Sequence, residues 1–288
     1  MHSLSPGATT LDIFLASEAG FCFGVRRALE TAGEASERHG HIYSLGPLIH
    51  NRQVVEDLAA RGVEVVDDIT CVPAGSVAMI RTHGAGPAAY EAAEERQIQI
   101  IDATCPFVAR VQKAADLYQS EGYQVLVLGE ADHPEARAIV EHTGGQATIV
   151  QGADDIADLK ISRRVAVVCQ TTQRLENLQE LTNALLPQVH ELRIANTICD
   201  ATTKRQSAAL EVARNVDLMI VVGGTHSANT TRLAQICAAT GTPTHHIETA
   251  AEVRDEWLAD IQRVGVTAGA STPDEAIEAV VQRLQQTG

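Results

Sequence analysis

The sequence is poor in aromatic residues, in long apolar runs and in positive charge. Aromatic side chains make up 3% of the 288 residues, so the core must be aliphatic, as in parallel strands covered by helices. No apolar run approaches the roughly 20 residues that span a bilayer. The formal net charge of -15 argues against non-specific binding to nucleic acid. We therefore expect neither nucleic acid nor a membrane as a partner.

Signals of secretion and closely spaced cysteine pairs are also missing. The N-terminal residues lack the basic and apolar regions of a signal peptide. The six cysteines include no C-x-x-C pair, which structural zinc sites usually contain. In such a chain, cysteines indicate a reducing compartment, where they are metal ligands, catalytic groups or small core residues. The expected location is the cytoplasm.

Strands and helices alternate along the whole chain, which predicts an α/β fold with mainly parallel sheets. The predicted strands lie near residues 12–16, 42–45, 77–81, 98–101, 124–128, 148–150, 165–168, 192–194, 218–222 and 264–267. The predicted helices lie near residues 25–38, 53–61, 88–96, 106–120, 175–185, 204–214, 230–239 and 273–285, with another beginning at Pro134. The apolar run at 98–101 is expected to be a buried strand.

An internal repeat divides this alternation into three. Cys22, Cys105 and Cys199 are each followed, 24 residues later, by a glycine that closes a hydrophobic strand. Polar residues recur four and six positions after each glycine, and they are His50 and Arg52, His133 and Glu135, Ser227 and Asn229. A second polar turn recurs at residues 81–84, 169–172 and 269–272. Triplication explains these coincidences better than chance.

The repeat predicts three similar α/β domains, at residues 23–104, 105–198 and 199–288, with residues 1–22 completing the third. Ligands of open α/β units collect at the carboxyl ends of the strands. Every recurring turn follows such an end. Arranged with pseudo-threefold symmetry, the domains would aim these turns at one central site.

The three repeated cysteines each precede a helix, whose amides favour the thiolate form that binds metal. Burial as small hydrophobic residues is the alternative, but their turn-like flanks favour metal ligation. Cys71, Cys169 and Cys237 lack the repeat context, and we expect Cys237 to pack in the core beside Leu233 and Ile236. Three thiolates can hold zinc with an open position or a four-iron cluster with one iron lacking cysteine. Cysteines from separate repeats suit the separated corners of the cluster.

Polar side chains of the turns form a candidate anion site. His50, His83 and His133 occupy turns whose counterparts contain Ser227, Thr171 and Ser271. With the helix N-termini these side chains would bind an anion such as a diphosphate, although any single histidine could be an ordinary one. Glu135 is the one carboxylate in this ring, and beside an anion its pKa should rise, which suits a proton donor. The alternative is a first-turn glutamate stabilised by the helix dipole.

Basic residues follow each repeated cysteine within one or two helical turns, and they are Arg26, Arg27, Arg110, Lys113, Lys204 and Arg205. They are ordinary solvated surface, or they offset the charge of a cluster, or they dock an acidic electron carrier.

At these residues the sequence resembles the 4-hydroxy-3-methylbut-2-enyl diphosphate reductases, the LytB or IspH family. The matching motifs span almost the whole chain, in order. They are Gly20-Phe21-Cys22, His50-Asn51, His83-Gly84, Asp102-Ala103-Thr104-Cys105-Pro106, His133-Pro134-Glu135, Gln170-Thr171-Thr172, Thr197-Ile198-Cys199, Ser227-Ala228-Asn229 and Gly269-Ala270-Ser271.

The resemblance implies three α/β domains around one [4Fe–4S] cluster per chain, held by Cys22, Cys105 and Cys199. It implies reductive dehydroxylation of the allylic diphosphate to isopentenyl and dimethylallyl diphosphate, the last step of the methylerythritol phosphate route. Reduced ferredoxin or flavodoxin would supply the electrons. Glu135, Thr171 and His133 would form the catalytic group, with Glu135 supplying protons.

By the same resemblance, the diphosphate site comprises His50, His83, His133, Thr171, Ser227, Ala228, Asn229 and Ser271. Ala228 departs from the pattern, because many members have a second serine there. A dehydratase or condensing enzyme resembling quinolinate synthase is an alternative, since it is also triplicated with one cysteine per domain. A non-catalytic iron–sulfur sensor is another, but a sensor has no need of the polar ring.

Overall fold

A computed structural model of the chain describes residues 11–49 and 51–286. Its strands are β1 (Asp12–Leu15), β2 (Ile42–Leu45), β3 (Val63–Val66), β4 (Val77–Ile80), β5 (Gln99–Asp102), β6 (Gln124–Leu128), β7 (Thr148–Val150), β8 (Arg164–Cys169), β9 (Glu191–Ala195), β10 (Leu218–Val222), β11 (Thr244–Ile247) and β12 (Arg263–Ala268). Its α-helices are α1 (Phe23–His39), α2 (Arg52–Ala60), α3 (Pro87–Glu95), α4 (Pro106–Ser120), α5 (Pro134–His142), α6 (Leu175–Leu185), α7 (Asp200–Ala213), α8 (Ala228–Ala238) and α9 (Asp274–Gln285). Across these described ranges, no helix has the length and apolarity needed to cross a bilayer.

The strands form three sheets of four parallel strands each. The strand orders are β3-β2-β4-β5, β7-β6-β8-β9 and β11-β10-β12-β1. Because β1 pairs in parallel with β12 over four residues, the N-terminal strand completes the sheet of the last third of the chain. The predicted α/β fold with parallel sheets is confirmed.

By its internal contacts, the chain divides into two compact units. One contains residues 11–22, 51–52 and 201–286, and with them the sheet that includes β1. The other contains residues 23–49 and 53–200, and with them the other two sheets. The three domain boundaries expected from the sequence stay a prediction.

Helices cover both faces of the sheet β7-β6-β8-β9. On one face, the apolar side of α6 packs against alternate residues of β6 and β8, including Leu126 and Val167. On the other face, α4 and α5 pack against the intervening residues, such as Val125 and Val168. The sheet with β1 is built in the same way, with α9 on one face and α7 and α8 on the other. The cores are aliphatic, as the composition predicted.

Each glycine of the repeat makes an equivalent backbone bond. The amides of Gly46, Gly129 and Gly223 donate to the last carbonyl of the neighbouring edge strand, which belongs to Val66, Val150 and Ile247 respectively, at 2.7–2.9 Å. Proline and capping residues then start the helices, as expected. Pro106 and Pro134 lie in the first turns of α4 and α5, and Ser227 caps α8.

The structure differs from the sequence-based expectations at a few elements. The predicted buried strand at 98–101 is an edge strand, β5, whose residues are partly or fully exposed. The edge strands β3 and β11 were not predicted, because four residues with polar members carry little periodic signal. Helix α7 begins at Asp200, before the expected Lys204.

The second turn of the middle repeat is also shifted by one residue. The hydrogen bonds that close these turns run from the amide of Gly84 to the carbonyl of Arg81, from the amide of Gln173 to the carbonyl of Gln170, and from the amide of Thr272 to the carbonyl of Gly269. The structural counterparts of His83 are therefore Thr172 and Ser271. Thr171 corresponds instead to Thr82 and Ala270.

Substitution of two buried or partly buried glycines by alanine should change stability in opposite directions. At Gly265, a Cβ would lie 2.6 Å from Val212 and closer still to Met219, so Gly265→Ala should destabilise the protein by about 1–3 kcal/mol. At Gly33 in α1, nothing within the described residues lies within 4 Å of an added Cβ, so Gly33→Ala should stabilise by about 0.5–1 kcal/mol. Urea unfolding of both variants measures the difference. Equal shifts at the two positions would contradict the packing described for β12.

Candidate active site

Each repeated cysteine is fixed by one backbone bond to a neighbouring turn. The amide of Cys22 donates to the carbonyl of Ala270, that of Cys105 to Thr82, and that of Cys199 to Thr171, at 3.0–3.2 Å. The acceptors are equivalent residues of the second turn. All three thiols are partly exposed. The cysteines thus share one local geometry, which supports a common role.

The turns before Cys105 and Cys199 are closed by a side chain three residues upstream. Oδ1 of Asp102 accepts from the amide of Thr104 at 2.8 Å, and Oδ1 of Asn196 accepts from the amide of Ile198 at 3.2 Å. Such bonds mimic a backbone turn. The other oxygen of Asp102 accepts from the hydroxyl of Tyr90 at 3.0 Å, so this carboxylate also ties the turn to α3.

Two of the basic residues have a structural role at these turns. Arg27 of α1 donates to the carbonyl of Thr104 at 3.0 Å. Arg205 of α7, which is 3% exposed, donates to the carbonyl of Gly20 at 2.8 Å. Each guanidinium therefore holds the backbone close to a repeated cysteine.

The remaining cysteines lie in other environments. Cys169 and Cys237 are fully buried, and burial raises the pKa of each thiol to about 12. Cys237 packs with Leu233 and Ile236, as predicted. Cys71 is exposed. Within residues 11–49 and 51–286, no group of three His, Cys, Asp or Glu side chains is arranged to hold a single metal ion.

A buried carboxyl lies among the polar residues of the middle repeat. Glu135, in the first turn of α5, is 2% exposed. Thr171 contacts both of its oxygens, with its amide donating to Oε1 at 2.6 Å and its hydroxyl donating to Oε2 at 2.9 Å. Burial raises the pKa of Glu135 to about 7, although both Thr171 bonds act in the opposite direction. A group of this pKa can give or accept a proton near neutral pH.

Two histidines lie beside this carboxyl. Nδ1 of His133, the N-cap of α5, accepts from the amide of Glu135 at 3.2 Å, so a neutral ring has its proton on Nε2. The rings of His83 and His133 meet edge to face, with centroids 5.2 Å apart. The structure therefore brings together four of the predicted residues, which are His83, His133, Glu135 and Thr171.

The other predicted anion ligands lie at the start of α8 and in the turn that follows β12. Ser227, Asn229 and Ser271 are 5–7% exposed. Nδ2 of Asn229 is buried and has no hydrogen-bond partner among the described residues. Ala228 is partly exposed and offers no side-chain donor. His50 lies outside the described residues.

Sequence reasoning did not predict the contacts through which several residues shape the site. Gln170 is fully buried and joins two turns, because its Oε1 accepts from the amide of Glu130 at 2.9 Å and its Nε2 donates to Thr172 at 2.9 Å. Asp102 and Asn196 recur at the same distance before a cysteine, so the sequence contained that signal. The contacts of Arg27 and Arg205 depend on tertiary structure.

The chain is similar to known proteins over nearly its whole length. The model of the family described as LytB protein matches residues 13–285. The chain belongs to this family. It is 46% identical over 276 residues to the 4-hydroxy-3-methylbut-2-enyl diphosphate reductase of Geobacter sulfurreducens, covering 96% of this chain and 98% of that protein. The Trichlorobacter lovleyi protein of the same name is 45% identical, with the same coverage.

Solved structures of LytB relatives resemble the chain as well. The E-1-hydroxy-2-methyl-but-2-enyl-4-diphosphate reductase of Plasmodium falciparum superposes with a TM-score of 0.91 at 27% identity, covering 95% of this chain and 87% of that one. A second structure is described as (E)-4-hydroxy-3-methyl-but-2-enyl diphosphate reductase, the terminal enzyme of the non-mevalonate pathway. It has a TM-score of 0.70 at 40% identity and covers 96% and 99% of the two chains.

Glu135→Gln should change how stability depends on pH. Since the folded pKa is about 7 and the ordinary value is 4.5, the unfolded chain loses this proton between those pH values while the folded chain keeps it. Wild-type stability should therefore fall as pH rises through this window, by an amount on the order of 3 kcal/mol, and level off above it. The glutamine variant has no such proton to lose.

Urea unfolding at a series of pH values measures this difference. The exposed Glu275, in the first turn of α9, provides the matched Glu→Gln control. Parallel stability profiles for wild type and Glu135→Gln would contradict the raised pKa.

Proposed function

We propose that this protein reductively removes the hydroxyl group of 4-hydroxy-3-methylbut-2-enyl diphosphate, giving isopentenyl and dimethylallyl diphosphate. The observation that carries the proposal is the buried Glu135–Thr171 pair, within a chain of the LytB family that aligns over 96% of its length with a reductase of that name. The reaction consumes two electrons and two protons and releases water. It therefore needs an electron source, a bound diphosphate and a proton donor.

The electron source in this proposal is one [4Fe–4S] cluster per chain, bound by Cys22, Cys105 and Cys199. The donor set fits such a cluster, because three partly exposed thiols have the same backbone setting and the buried thiols of Cys169 and Cys237 do not. When bound, a cluster with one iron lacking cysteine supplies single electrons and a Lewis acid that weakens the carbon–oxygen bond.

The diphosphate ligands in this proposal are His50, His83, His133, Thr171, Ser227, Asn229 and Ser271. The buried Nδ2 of Asn229 is a donor in need of an acceptor, and a phosphate oxygen would satisfy it. The N–H of His133 on Nε2 is a second donor, since Nδ1 already accepts a bond. Ala228 lies among these residues without contributing a hydroxyl group.

Glu135 is the proton donor in this proposal. Its raised pKa leaves a substantial fraction of the carboxyl protonated at neutral pH, and exclusion of water keeps that proton for the substrate. The hydroxyl of Thr171 contacts Oε2 and can orient both the carboxyl and the departing hydroxyl group of the substrate. Protonation of that hydroxyl group makes it leave as water.

The remaining proposals concern partners, location and domains. We infer that reduced ferredoxin or flavodoxin supplies electrons, and that the exposed Arg26, Arg110, Lys113 and Lys204 attract such an acidic carrier. We place the enzyme in the cytoplasm. The domains would span residues 23–104, 105–198 and 199–288, with residues 1–22 completing the last.

Turnover under anaerobic conditions tests the function. With reduced methyl viologen and the hydroxylated allylic diphosphate, the cluster-loaded protein should form both C5 diphosphates, whereas a dehydratase or a sensor should form neither. Glu135→Gln should retain the cluster absorbance and lose at least about 100-fold in turnover, as expected for loss of a general acid. Turnover of this variant at the wild-type rate would remove the proton role from Glu135.

Replacement of single cysteines tests the cluster ligands. Cys105→Ser should lose cluster absorbance, most of the bound iron and activity. Cys237→Ser is the matched control, since its hydroxyl can donate to the carbonyl of Ala209, near which Sγ lies at 4.0 Å. Iron analysis after anaerobic reconstitution measures both variants, and wild-type iron content in Cys105→Ser would defeat the assignment.

A further inference from the structure

The turn that leads into α8 is braced by a carboxylate that directly follows the neighbouring edge strand β11. This turn, residues 223–227, ends at Ser227, the N-cap of α8. One bond is common to all three repeats, because the third residue of each turn accepts a side-chain bond at its carbonyl. The side chain of Thr82 donates to the carbonyl of Leu48 at 3.0 Å, that of Arg137 to the carbonyl of Ala131 at 3.2 Å, and that of Thr231 to the carbonyl of Thr225 at 3.2 Å.

Glu248 binds this turn through two hydrogen bonds, one of which depends on the side chain of Thr225. Its Oε1 accepts from the amide of Thr225 at 2.8 Å and from the hydroxyl of Thr225 at 2.9 Å. The counterparts of Thr225 are Leu48 and Ala131, which have no hydroxyl group to donate such a bond. The bond between the Glu248 carboxylate and the Thr225 hydroxyl therefore distinguishes the third repeat from the other two.

Neighbouring residues hold both Glu248 and the turn in place. Nε2 of His246, two residues before Glu248, lies 2.9 Å from the carbonyl of Gly223 and must donate to it. Oε1 of Glu252 accepts from the amides of Glu248 and Thr249 at 3.0 and 2.8 Å. Hydrogen bonds thus join Gly223 and Thr225, the first and third residues of the turn, to His246 and Glu248. The backbone of that segment is in turn bonded by Glu252.

A carboxylate near an anion site would be unfavourable unless its charge were already satisfied. Here the two Thr225 bonds lower the pKa of Glu248, and the charges of Arg52 and His226 act in the same direction. Glu248 is therefore a stable anion, and its Oε1 is directed at the turn. Such a group suits the positioning of other residues rather than contact with a phosphate.

Positioning matters at this turn because of Ala228. The first turn of α8 offers the side chains of Ser227 and Asn229 as donors, and residue 228 adds none. We infer that Glu248, supported by His246, is a positioning residue that holds Ser227 and Asn229 in place for the diphosphate. The inference rests on the proposed function, and neither Glu248 nor His246 belongs to the proposed ligand set.

The test compares substrate binding with turnover in the cluster-loaded enzyme. Glu248→Ala should raise KM for the allylic diphosphate about tenfold and weaken inhibition by inorganic pyrophosphate by a similar factor, while kcat stays within about twofold. Glu248→Gln keeps an oxygen acceptor for Thr225 and should stay within about threefold of wild type in KM. Thr225→Ala removes only the hydroxyl bond and should raise KM about threefold.

The matched control is Asp155→Ala in the middle repeat. Asp155 accepts from the amide of Gln151, which follows β7 as Glu248 follows β11, without contacting an anion-binding turn. Its removal should leave KM and pyrophosphate inhibition unchanged. Equal losses in the control, or unchanged KM in both Glu248→Ala and Thr225→Ala, would overturn the inference.

Pyrophosphate binding, measured by calorimetry on the same proteins, separates this inference from the proposed function. If the wild-type protein does not turn over the substrate, the proposed function fails. The positioning inference then depends only on whether Glu248→Ala weakens pyrophosphate binding about tenfold relative to wild type and Asp155→Ala. An unchanged affinity in Glu248→Ala would reject it even if turnover is normal.

Discussion

One backbone hydrogen bond recurs at the cysteine of every repeat and ties that cysteine to the core of its sheet. Cys22, Cys105 and Cys199 follow the edge strands β1, β5 and β9, which have only one neighbour and gain little from the sheet beyond that point. Each cysteine amide donates to the turn that follows the neighbouring central strand, which is β12, β4 or β8. This bond ties the loop that contains the cysteine to the best-packed part of the fold. Thiols placed in this way can remain partly exposed and still be held by the core.

The candidate proton donor is held by the same turns. Thr171, whose carbonyl accepts from Cys199, also contacts both oxygens of Glu135, so one residue links a candidate metal ligand to the candidate proton donor. Burial raises the pKa of Glu135 and the Thr171 bonds limit that rise. Gln170 keeps the two turns in register through Glu130 and Thr172. The pKa near 7 therefore reflects both the burial of Glu135 and its bonds to Thr171.

Periodicity and spacing sufficed to predict the fold class and the presence of all nine α-helices of the described residues, because aliphatic strands and proline-started helices give strong local signals. The short edge strands β3 and β11 were missed, since their stability comes from pairing with β2 and β10. The one-residue shift of Thr171 was missed for a related reason, as register is set by hydrogen bonds between segments. The sequence left the role of Arg27 and Arg205 open between solvated surface, charge compensation and docking, because their acceptors lie 77 and 185 residues away in the chain.

The three repeats share a backbone and differ in the side chains that it presents. The position of His83 is occupied by Thr172 in the middle repeat and by Ser271 in the third, so equivalent turns provide an imidazole and two hydroxyls. The bracing of the turns has diverged as well, because an arginine of α5 donates to the carbonyl of Ala131 while a threonine of α8 donates to that of Thr225, which Glu248 also bonds. In the proposed diphosphate site, where Ala228 offers no side-chain donor, binding would depend on precise placement of the remaining donors. Divergence in the bracing residues is then as important to the site as divergence in the ligands.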